Sequence, residues 1–593
     1  MTARRRPFTT VVARLPRWVR AVVALAVLVL GVVIITRPTT SLGVLAVLIG
    51  TGLVLAGVLD LTGLGTQAVE SGWGIATAVV WIVAGGLVLG WPGLTVRLVA
   101  VVVGVSLVVN AVLTVASGLR GKQTLDARLA ALAFGAAGLV FGVLALAWPD
   151  ITLLVTSVVF GARLIMSGFG WFWWALGGDR TEVTPAGEPS GWRRWRRGLA
   201  ALTALLLAVG AAVLSAALQR GSPVLDDFYA APRDVPAEPG RLVRSEPFTQ
   251  KVPADARAWR ILYTSTRADG VAALGSAIVV EPLTPGPHPV IDWTHGTTGF
   301  AENCAPSILD EPFESGALMV VPELIDQGWA VVATDYIGLG TRGPHGYLVG
   351  AEAAHGALDA VRAARELPDA ALGDQTVVWG HSQGGGAALW TGALAGSYAP
   401  DVPLAGVAAL APASDLPGLV GNLSQVPGGS IFASFVLAGY TAVYPDVNWR
   451  QYVRPGAEAV MQSMAERCLS EPGTLVSVLH ALGMARDPEL TSTDPTTGAL
   501  GARLAENVPP AAIGVPLLLA QGGADGLVVP SAQDGYVASV CAAGEQVDYR
   551  VYAGRDHVGL VEADSPLIPE LIAWTTARFA GEPPAPGCTT TQR

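Results

Sequence analysis

Long stretches of apolar residues dominate the first 220 positions of the 593-residue chain. Seven of them, each about 18 to 25 residues long and nearly uncharged, could cross a hydrocarbon core of about 30 Å as helices. They are apolar on every side, whereas a surface helix of a soluble protein has a polar face. We therefore predict seven transmembrane helices, near residues 19–36, 41–60, 73–91, 95–117, 127–148, 150–175 and 199–218.

The first apolar segment follows Arg4, Arg5 and Arg6, as the apolar core of a signal peptide also would. Six further segments and the lack of a small-residue cleavage site favour an uncleaved helix instead. Lys and Arg collect on the cytoplasmic side of membranes, so the basic segments predict a cytoplasmic N-terminus. Seven crossings then put everything after residue 220 outside the cytoplasm. The other basic residues behind this prediction are Arg14, Arg17, Arg20, Arg120, Lys122, Arg128, Arg193, Arg194, Arg196 and Arg197.

The first six segments form an internal repeat. Pro38, Pro92 and Pro149 mark the same turn in "TRPTTSLG", "GWPGLTV" and "AWPDITL", and each turn joins two apolar helices rich in small residues. The pattern resembles the HdeD-like family of acid-resistance membrane proteins, whose members consist of three such hairpins. The resemblance covers residues 20–175 and implies a fold rather than an activity.

Few ionisable groups lie inside the predicted spans, although such groups usually mark transport pathways. Arg163 lies well within a span, as does the uncharged polar residue Asn110, while Asp60 and Asp150 lie at span ends. A proton relay would need several acids or histidines, so we interpret this half as an anchor or scaffold. Arg163 is interpreted as a functional group or as a side chain that reaches the lipid headgroups.

Beyond residue 220 the pattern changes to short apolar runs that alternate with helical stretches, which predicts an α/β domain. Eight strand candidates include "PVIDWTHG", "TVVWGHS" and "VPLLLAQGGAD", and several are continuous apolar runs typical of a parallel sheet covered on both faces. The predicted organisation is a basic N-terminus (1–18), a six-helix membrane domain (19–175), a basic loop (176–198), a seventh helix (199–218), a linker (219–245) and an α/β domain (246–590).

Charge and cysteine content narrow the function classes. The net charge is −10, and the C-terminal half has no basic stripe with interleaved aromatics, so nucleic acid is not an expected partner. All seven histidines and all four cysteines follow residue 287. An even number of cysteines confined to one domain fits an oxidising compartment, with three possible pairings.

The stretch "TVVWGHSQGGGAALW" contains a G-x-S-x-G pattern centred on Ser382. The pattern alone is weak in a chain with 71 glycines. An apolar strand precedes it and a small-residue helix follows it, which is the context of a nucleophile elbow. Gly380 and Gly384 would permit the sharp turn, and Gly385 and Gly386 would permit close approach of the helix to the sheet. We predict that Ser382 is a nucleophile; a purely structural turn is the alternative.

A serine nucleophile needs a base and an acid that orients the base, in the chain order Ser, acid, His for this kind of turn. His557 in "YAGRDHVG" is the one histidine near the C-terminus, and a surface loop histidine is its alternative role. Asp525 follows the strand "VPLLLAQGGAD" directly. Asp534 and Asp556 are rivals, but Asp534 is expected inside a helix and Asp556 is expected to point away.

Backbone donors must also stabilise the oxyanion that forms on the substrate. "DWTHGTTG" follows an early buried strand, where one donor is expected. We predict the N–H groups of Thr297 and Gln383 as this pair, with Thr298 as the close alternative. The other interpretation is that His295-Gly296 forms only a turn.

Together these motifs resemble the secretory lipase family of α/β hydrolases, the lipase A-like group, over residues 225–590. "WTHGTTGFAENCAPS", "ATDYIGLG", "GHSQGG", "GGADGLVVP" and "GRDH" carry the resemblance. It implies a triad of Ser382, Asp525 and His557 that acts on carboxylic esters, and a helical cap at about 415–505. With this resemblance we expect disulfides Cys304–Cys468 and Cys541–Cys588. The membrane half departs from a freely secreted enzyme.

The sequence therefore predicts a membrane-anchored, extracytoplasmic serine hydrolase of lipid-like esters. No cofactor or metal is expected, since the chain has no H-E-x-x-H motif and no cysteine pair at zinc-ligand spacing. The expected partners are an ester or lipid substrate and the bilayer. A peptidase or acyltransferase on the same triad, and a non-catalytic membrane stress or scaffold protein, are the alternatives.

Overall fold

A computed structural model of the chain describes residues 16–36, 92–120, 124–175, 191–220, 222–233, 235–484 and 490–593, with isolated helical positions between 51 and 90. The chain divides into two compact units. One comprises Met1–Arg220 with the short segments Val453–Val460 and Leu482–Ser492, and the other comprises the remaining residues.

The N-terminal part is helical. Within the described residues, five helices are long and apolar enough to cross a membrane, which agrees with five of the seven predicted spans. The predicted spans 41–60 and 73–91 lie largely outside the described residues. The five helices are Arg17–Thr36, Pro92–Arg120, Leu125–Ala147, Pro149–Ala175 and Gly191–Arg220.

Close helix contacts in this part depend on glycine. Helix Arg17–Thr36 packs against Pro149–Ala175, and a Cβ on Gly161 would lie 2.8 Å from the Gly31 carbonyl oxygen. A Cβ on Gly31 would lie 2.7 Å from the Gly161 carbonyl oxygen. Small residues let backbones approach in this way inside a bilayer, where apolar burial provides little drive for association.

Two of the predicted turn prolines begin helices. Pro92 and Pro149 are the first residues of their helices, where the missing N–H of proline costs nothing; Pro38 lies outside the described residues. The basic segment that was predicted as a loop before the last span is helical, because helix Gly191–Arg220 already includes Arg193 to Arg197. Arg163 lies on helix Pro149–Ala175 with its side chain exposed.

The second unit is built on one ten-stranded sheet with the order β1-β2-β3-β5-β4-β6-β7-β8-β9-β10. The pairs β1–β2, β2–β3 and β3–β5 are antiparallel, and all other pairs are parallel. The strands are β1 (Leu242–Phe248), β2 (Ala256–Thr266), β3 (Ala272–Pro282), β4 (His288–Thr294), β5 (Ala330–Thr334), β6 (Leu372–His381), β7 (Leu404–Leu410), β8 (Leu517–Gly522), β9 (Val547–Tyr552) and β10 (Cys588–Gln592).

Both faces of this sheet are buried, which explains the continuous apolar runs. Along β6, Val377 and Trp379 pack into one layer and Val378 packs into the opposite layer, because successive strand residues point to opposite faces. Helices Val321–Asp326 and Leu567–Phe579 lie on the Trp379 side. Each fully buried side chain of this size contributes roughly 1.5–3 kcal/mol by leaving water.

Helices connect the strands and form an insertion between β7 and β8. Those outside the insertion are Val321–Asp326, Gly350–Ala364, Gln383–Tyr398, Pro530–Ala542 and Leu567–Phe579, with 3-10 turns at Asp227–Tyr229, Glu302–Cys304, Pro306–Ile308 and Glu314–Gly316. The insertion, which we call the cap, contains Leu416–Asn422, Leu423–Gln425 (3-10), Gly429–Val443, Trp449–Tyr452, Pro455–Ala465, Thr474–Met484 and Gly498–Glu506.

The α/β fold begins earlier and ends later than predicted. β1 starts at Leu242, and Phe228 and Tyr229 are already buried against Leu262, so the predicted linker 219–245 contains part of the folded domain. The alternation in "LVRSEPF" is interrupted by charges because β1 is an edge strand. β10 reaches Gln592, past the predicted end at residue 590.

Candidate active site

Ser382 lies at a sharp turn between β6 and helix Gln383–Tyr398. Its backbone has φ 59° and ψ −118°, a conformation that a residue other than glycine rarely adopts. Neighbouring segments are too close for side chains at the flanking glycines: a Cβ on Gly384 would lie 1.9 Å from the Thr294 carbonyl oxygen, and one on Gly380 would lie 2.1 Å from that of Gly384. The G-x-S-x-G pattern therefore has a steric cause in this fold.

Three side chains from separate loops meet at this turn. The Nε2 atom of His557 lies 2.8 Å from the Ser382 Oγ atom. The Nδ1 atom of His557 lies 2.7 Å from the Asp525 Oδ2 atom. Asp525 follows β8 and His557 follows β9, so parallel strands bring both loops to the edge where β6 ends.

The environment of Asp525 fixes the orientation of this chain of hydrogen bonds. Its side chain is buried, and its Oδ1 atom accepts hydrogen bonds from the N–H groups of Leu527 and Val528, each at 2.9 Å. Its Oδ2 atom accepts from His557 Nδ1–H, which leaves the Nε2 lone pair free to accept the Ser382 hydroxyl proton. The arrangement can activate a hydroxyl for nucleophilic attack.

The two rival acids are engaged elsewhere. Asp534 lies in helix Pro530–Ala542 and accepts a hydrogen bond from the Tyr549 hydroxyl at 2.9 Å. Asp556 accepts from the Gly559 N–H at 2.8 Å. The structure thus brings Asp525, and neither rival, to the Nδ1 atom of His557.

The predicted oxyanion donors lie beside Ser382. Thr297, Gln383 and Ser382 line one cavity. Among the described residues, the N–H groups of Thr297 and Gln383 have no hydrogen-bond acceptor within the protein; Gln383 begins a helix, where N–H groups are free. Thr298 is used structurally instead, since its hydroxyl donates to the Cys304 carbonyl and its own carbonyl accepts from Leu469 N–H.

A layer of buried polar groups behind these donors was not found from the sequence. The Tyr347 hydroxyl lies 2.9 Å from the Thr297 Oγ1 atom. The Gln383 amide donates to His345 Nε2 at 3.3 Å, while His345 Nδ1–H donates to the Ile337 carbonyl. Burial lowers the pKa of His345 to about 3, so it stays neutral. The loop "GPHGYLVG" that supplies Tyr347 and His345 has no periodic pattern that would have revealed these contacts.

His381, the residue before the nucleophile, was also missed. Its ring is buried, and its Nε2–H donates to the His557 carbonyl oxygen at 2.9 Å. The two imidazole rings have their centroids 4.8 Å apart. Burial, and then the neighbouring His557, lower the pKa of His381 to about 3.

The cavity at Ser382 is narrow, with a volume of about 20 Å³, and most of its lining is apolar. Cap helices Leu416–Asn422 and Gly429–Val443 supply part of its lining. An apolar cavity with a few polar groups at one end suits a ligand with an apolar chain and a polar reacting group. Its apolar lining consists of Leu348, Ala413, Leu419, Leu423, Phe432, Val436, Leu527 and Val528.

Two disulfides lie in the part of the chain that the structure describes. Cys304–Cys468 joins the loop after β4 to the cap, and Cys541–Cys588 joins helix Pro530–Ala542 to β10. All four cysteines are therefore paired, and no free thiol lies near Ser382. The described residues also contain no group of three or more His, Cys, Asp or Glu side chains arranged to hold a metal ion.

Comparison with known proteins agrees with both resemblances. Residues 314–587 match the secretory lipase family model. This part of the chain is therefore similar to secretory lipases. It contains Ser382, Asp525 and His557. Residues 22–85, 76–144 and 133–216 each match a short repeat of unknown function, DUF308, which confirms a threefold repeat in the membrane half.

Individual relatives of the lipase domain are distant. Lipase 6 of Candida albicans is 29% identical over 274 residues, which are 42% of this chain and 57% of that protein. A protein of Mycobacterium tuberculosis named a probable inactive lipase is 27% identical over 393 residues, 61% of this chain and 83% of its own. Lipase A of Moesziomyces aphidis is 26% identical and covers 61% and 84% respectively.

Solved structures establish the fold. Candida antarctica lipase A in its closed state superposes with a TM-score of 0.50 at 21% identity, and the match covers 61% of this chain and 87% of that structure. The α/β-hydrolase architecture with a cap is therefore confirmed. The match to the secretory lipase family model supports a lipase or esterase type of hydrolase.

Proposed function

We propose that this protein is a membrane-anchored, extracytoplasmic serine hydrolase that cleaves carboxylic esters with apolar acyl chains. The observation that carries the proposal is the hydrogen-bonded chain from Ser382 Oγ through His557 to Asp525, with distances of 2.8 and 2.7 Å. These three residues are far apart in sequence and meet at one edge of the sheet. They supply the nucleophile, the base and the orienting acid that acyl transfer needs.

In the proposed mechanism, Ser382 Oγ attacks the ester carbonyl carbon while His557 Nε2 takes the hydroxyl proton. The negative charge that develops on the carbonyl oxygen is stabilised by the free N–H groups of Thr297 and Gln383. His557 then gives its proton to the leaving alkoxide, which departs as the alcohol. Water attacks the acyl-serine with His557 as base, and the acid is released. Asp525 stays ionised and holds the imidazole.

Two features support an ester with an apolar chain as substrate. The cavity at Ser382 is lined by aliphatic and aromatic side chains, and relatives of the domain are named lipases. Two disulfides support folding in an oxidising compartment. The apolar helices and the basic segments support an anchored protein with the hydrolase domain on the outer side.

The proposal is tested on the purified full chain in detergent, with a fluorophosphonate probe and p-nitrophenyl esters of increasing acyl length. We expect labelling at Ser382, and we expect Ser382→Ala to abolish labelling and to lower kcat by at least ~10³-fold. One relative is named a probable inactive lipase, so a parent that neither labels nor hydrolyses any ester is a real outcome, and it would refute the proposal. Cleavage of peptides instead of esters would assign the triad to a peptidase.

A further inference from the structure

His381 lies beside the three parts of the proposed site, which are the nucleophile, the base and the loop of the oxyanion donors. It is the last residue of β6 and directly precedes Ser382. Its Nε2–H donates to the backbone carbonyl of His557, the proposed base. Its Nδ1 atom faces the loop of the proposed oxyanion hole, since a Cβ on Gly296 would lie 3.4 Å from it. Gly296 immediately precedes Thr297.

We propose that His381 is a positioning residue that sets the place of the His557 loop relative to Ser382 and the Thr297 loop. This inference rests on the proposed function of the same site. The hydrogen bond from His381 goes to the backbone of His557 and not to its ring. It therefore fixes the position of the His557 backbone and does not compete for the proton that the ring carries.

The hydrogen-bonding capacity of the ring defines what the histidine contributes. A neutral imidazole has one N–H donor and one lone-pair acceptor. The acceptor it faces is a carbonyl, so the proton is on Nε2, and the buried Nδ1 atom has no hydrogen-bond donor among the described residues. A phenyl ring of similar size would avoid that unpaired acceptor. The donation to His557 is therefore what a histidine adds over an apolar ring.

The neutral state of His381 also matters to the base. During acyl transfer His557 becomes an imidazolium, and a second cation 4.8 Å away would oppose that charge. Because the ring is fully enclosed by protein and stays uncharged at working pH, it can hold the base loop without this repulsion. An arginine or lysine could make the same hydrogen bond but would carry the opposing charge.

The test compares His381→Phe, which keeps the ring and loses the donor, with His381→Gln, whose amide nitrogen can reach the position of Nε2. The probe is p-nitrophenyl butyrate with the full chain in detergent. We expect His381→Phe to lower kcat by roughly 10- to 100-fold with KM within about threefold, because a displaced catalytic group costs rate. We expect His381→Gln to recover kcat to within about fivefold of the parent.

A matched control is His288→Phe. His288 is also buried, and its Nδ1 and Nε2 atoms each lie 2.9 Å from a carbonyl oxygen, of Gly328 and Thr284 respectively. It lies at the other end of the sheet, at the start of β4. We expect this variant to lower the melting temperature and to keep kcat. Equal kcat in His381→Phe and the parent, or equal loss in the Gln and Phe variants, would overturn the inference.

A second measurement covers the case in which His381→Phe does not fold. His381→Leu also lacks a donor and is smaller, and the rate of fluorophosphonate labelling at Ser382 replaces turnover. Slow labelling in folded Leu protein with faster labelling in Gln protein supports positioning. If the parent itself does not label, the proposed function is wrong. If the parent labels and the His381 variants label equally fast, the proposed function stands and the positioning role of His381 is wrong.

Discussion

The backbone of Ser382 adopts a left-handed conformation that costs a residue with a side chain of order 1–3 kcal/mol. Three hydrogen bonds hold it there: its N–H donates to the Leu410 carbonyl, and its own carbonyl accepts from the N–H groups of Gly386 and Ala413. The surrounding segments therefore over-determine the turn. As a consequence the hydroxyl is raised toward His557 before any substrate binds, which removes part of the ordering cost from the reaction.

Asp292 provides a prediction about pH at the residue scale. It lies in the middle of β4, fully buried, and neither carboxyl oxygen has a hydrogen-bond partner among the described residues. Burial raises the pKa of Asp292 to about 7. The folded chain thus keeps a proton that the unfolded chain releases near pH 4, so stability falls as pH rises from about 4 to about 7, by at most ~4 kcal/mol.

The substitution Asp292→Asn removes this titration. We expect the melting temperature of the parent to fall by several degrees between pH 5 and pH 8, and that of Asp292→Asn to fall less. Thermal unfolding followed by circular dichroism at the two pH values measures both. Asp374→Asn is the control, because Asp374 is an exposed acid in β6 and its replacement should keep the parent's pH dependence. Identical pH dependence in Asp292→Asn would show that Asp292 stays ionised.

At this scale the sequence predicts residues whose chemistry is tied to a local motif. Ser382, Asp525 and His557 each follow a buried strand closely, and parallel strands end at a common edge, so their meeting could be expected before the structure. The contacts of Tyr347, His345 and His381 could not, because each joins loops far apart in sequence whose paths depend on packing. No local pattern distinguishes His381 from any other residue before a serine.

At the scale of elements, the two disulfides are expected to differ in what they control. Cys304–Cys468 holds the loop that carries Thr297 and Thr298 against the cap, and Leu469 N–H donates to the Thr298 carbonyl at 2.7 Å. Cys541–Cys588 joins a surface helix to the edge strand β10. Their sequence separations, 164 and 47 residues, give roughly 5 and 4 kcal/mol in the chain-entropy model.

We expect both double alanine variants to lose several degrees of melting temperature, since both lose a cross-link of similar entropic effect. Replacement of Cys304 and Cys468 should also lower kcat on p-nitrophenyl butyrate by about tenfold, because the loop of the proposed oxyanion donor Thr297 loses its support. Replacement of Cys541 and Cys588 should leave kcat within about twofold. Equal effects on kcat would contradict a link between the first disulfide and the oxyanion loop.

The contact between helices Arg17–Thr36 and Pro149–Ala175 gives a prediction for the membrane half. A side chain at Gly161 would meet the Gly31 carbonyl and the Ile35 side chain. We expect Gly161→Ile to lower the thermal stability of the protein in detergent by about 1–3 kcal/mol, as overpacking does. Gly170→Ile, in the same helix but with nothing within 4 Å of its Cβ position, should not. Fluorescence-detected size exclusion after heating measures both; equal loss would argue against this contact.

Element positions follow from the sequence where burial is uniform. All eight strands predicted from apolar runs are present as β2 to β9, because a sheet covered on both faces requires continuous apolar residues. β1 and β10 were missed, since edge strands are half exposed and their sequences, "LVRSEPF" and "CTTTQ", contain no continuous apolar run. The antiparallel pairing of the first three strands depends on the order of the sheet, which periodicity does not encode.

At the scale of the whole molecule, the chain combines a repeat that matches a family of unknown function with a part that matches the secretory lipase family. Helix Gly191–Arg220 is followed within ten residues of sequence by Phe228 and Tyr229, which are buried hydrophobic side chains of the α/β part. Under the proposed function, the membrane half serves as the anchor of the hydrolase.

The proposed orientation gives the last prediction. The first 220 residues contain no cysteine, and the four later cysteines are joined in disulfides, so one introduced thiol reports on its own position. We expect a membrane-impermeant maleimide to label Ala268→Cys, at the exposed turn between β2 and β3, in intact cells. Thr2→Cys should be labelled only after lysis, because the basic N-terminus is retained on the cytoplasmic side.

The unsubstituted chain controls for labelling of the disulfides. Labelling of Thr2→Cys in intact cells would reverse the N-terminal orientation, and protection of Ala268→Cys until lysis would place the hydrolase in the cytoplasm.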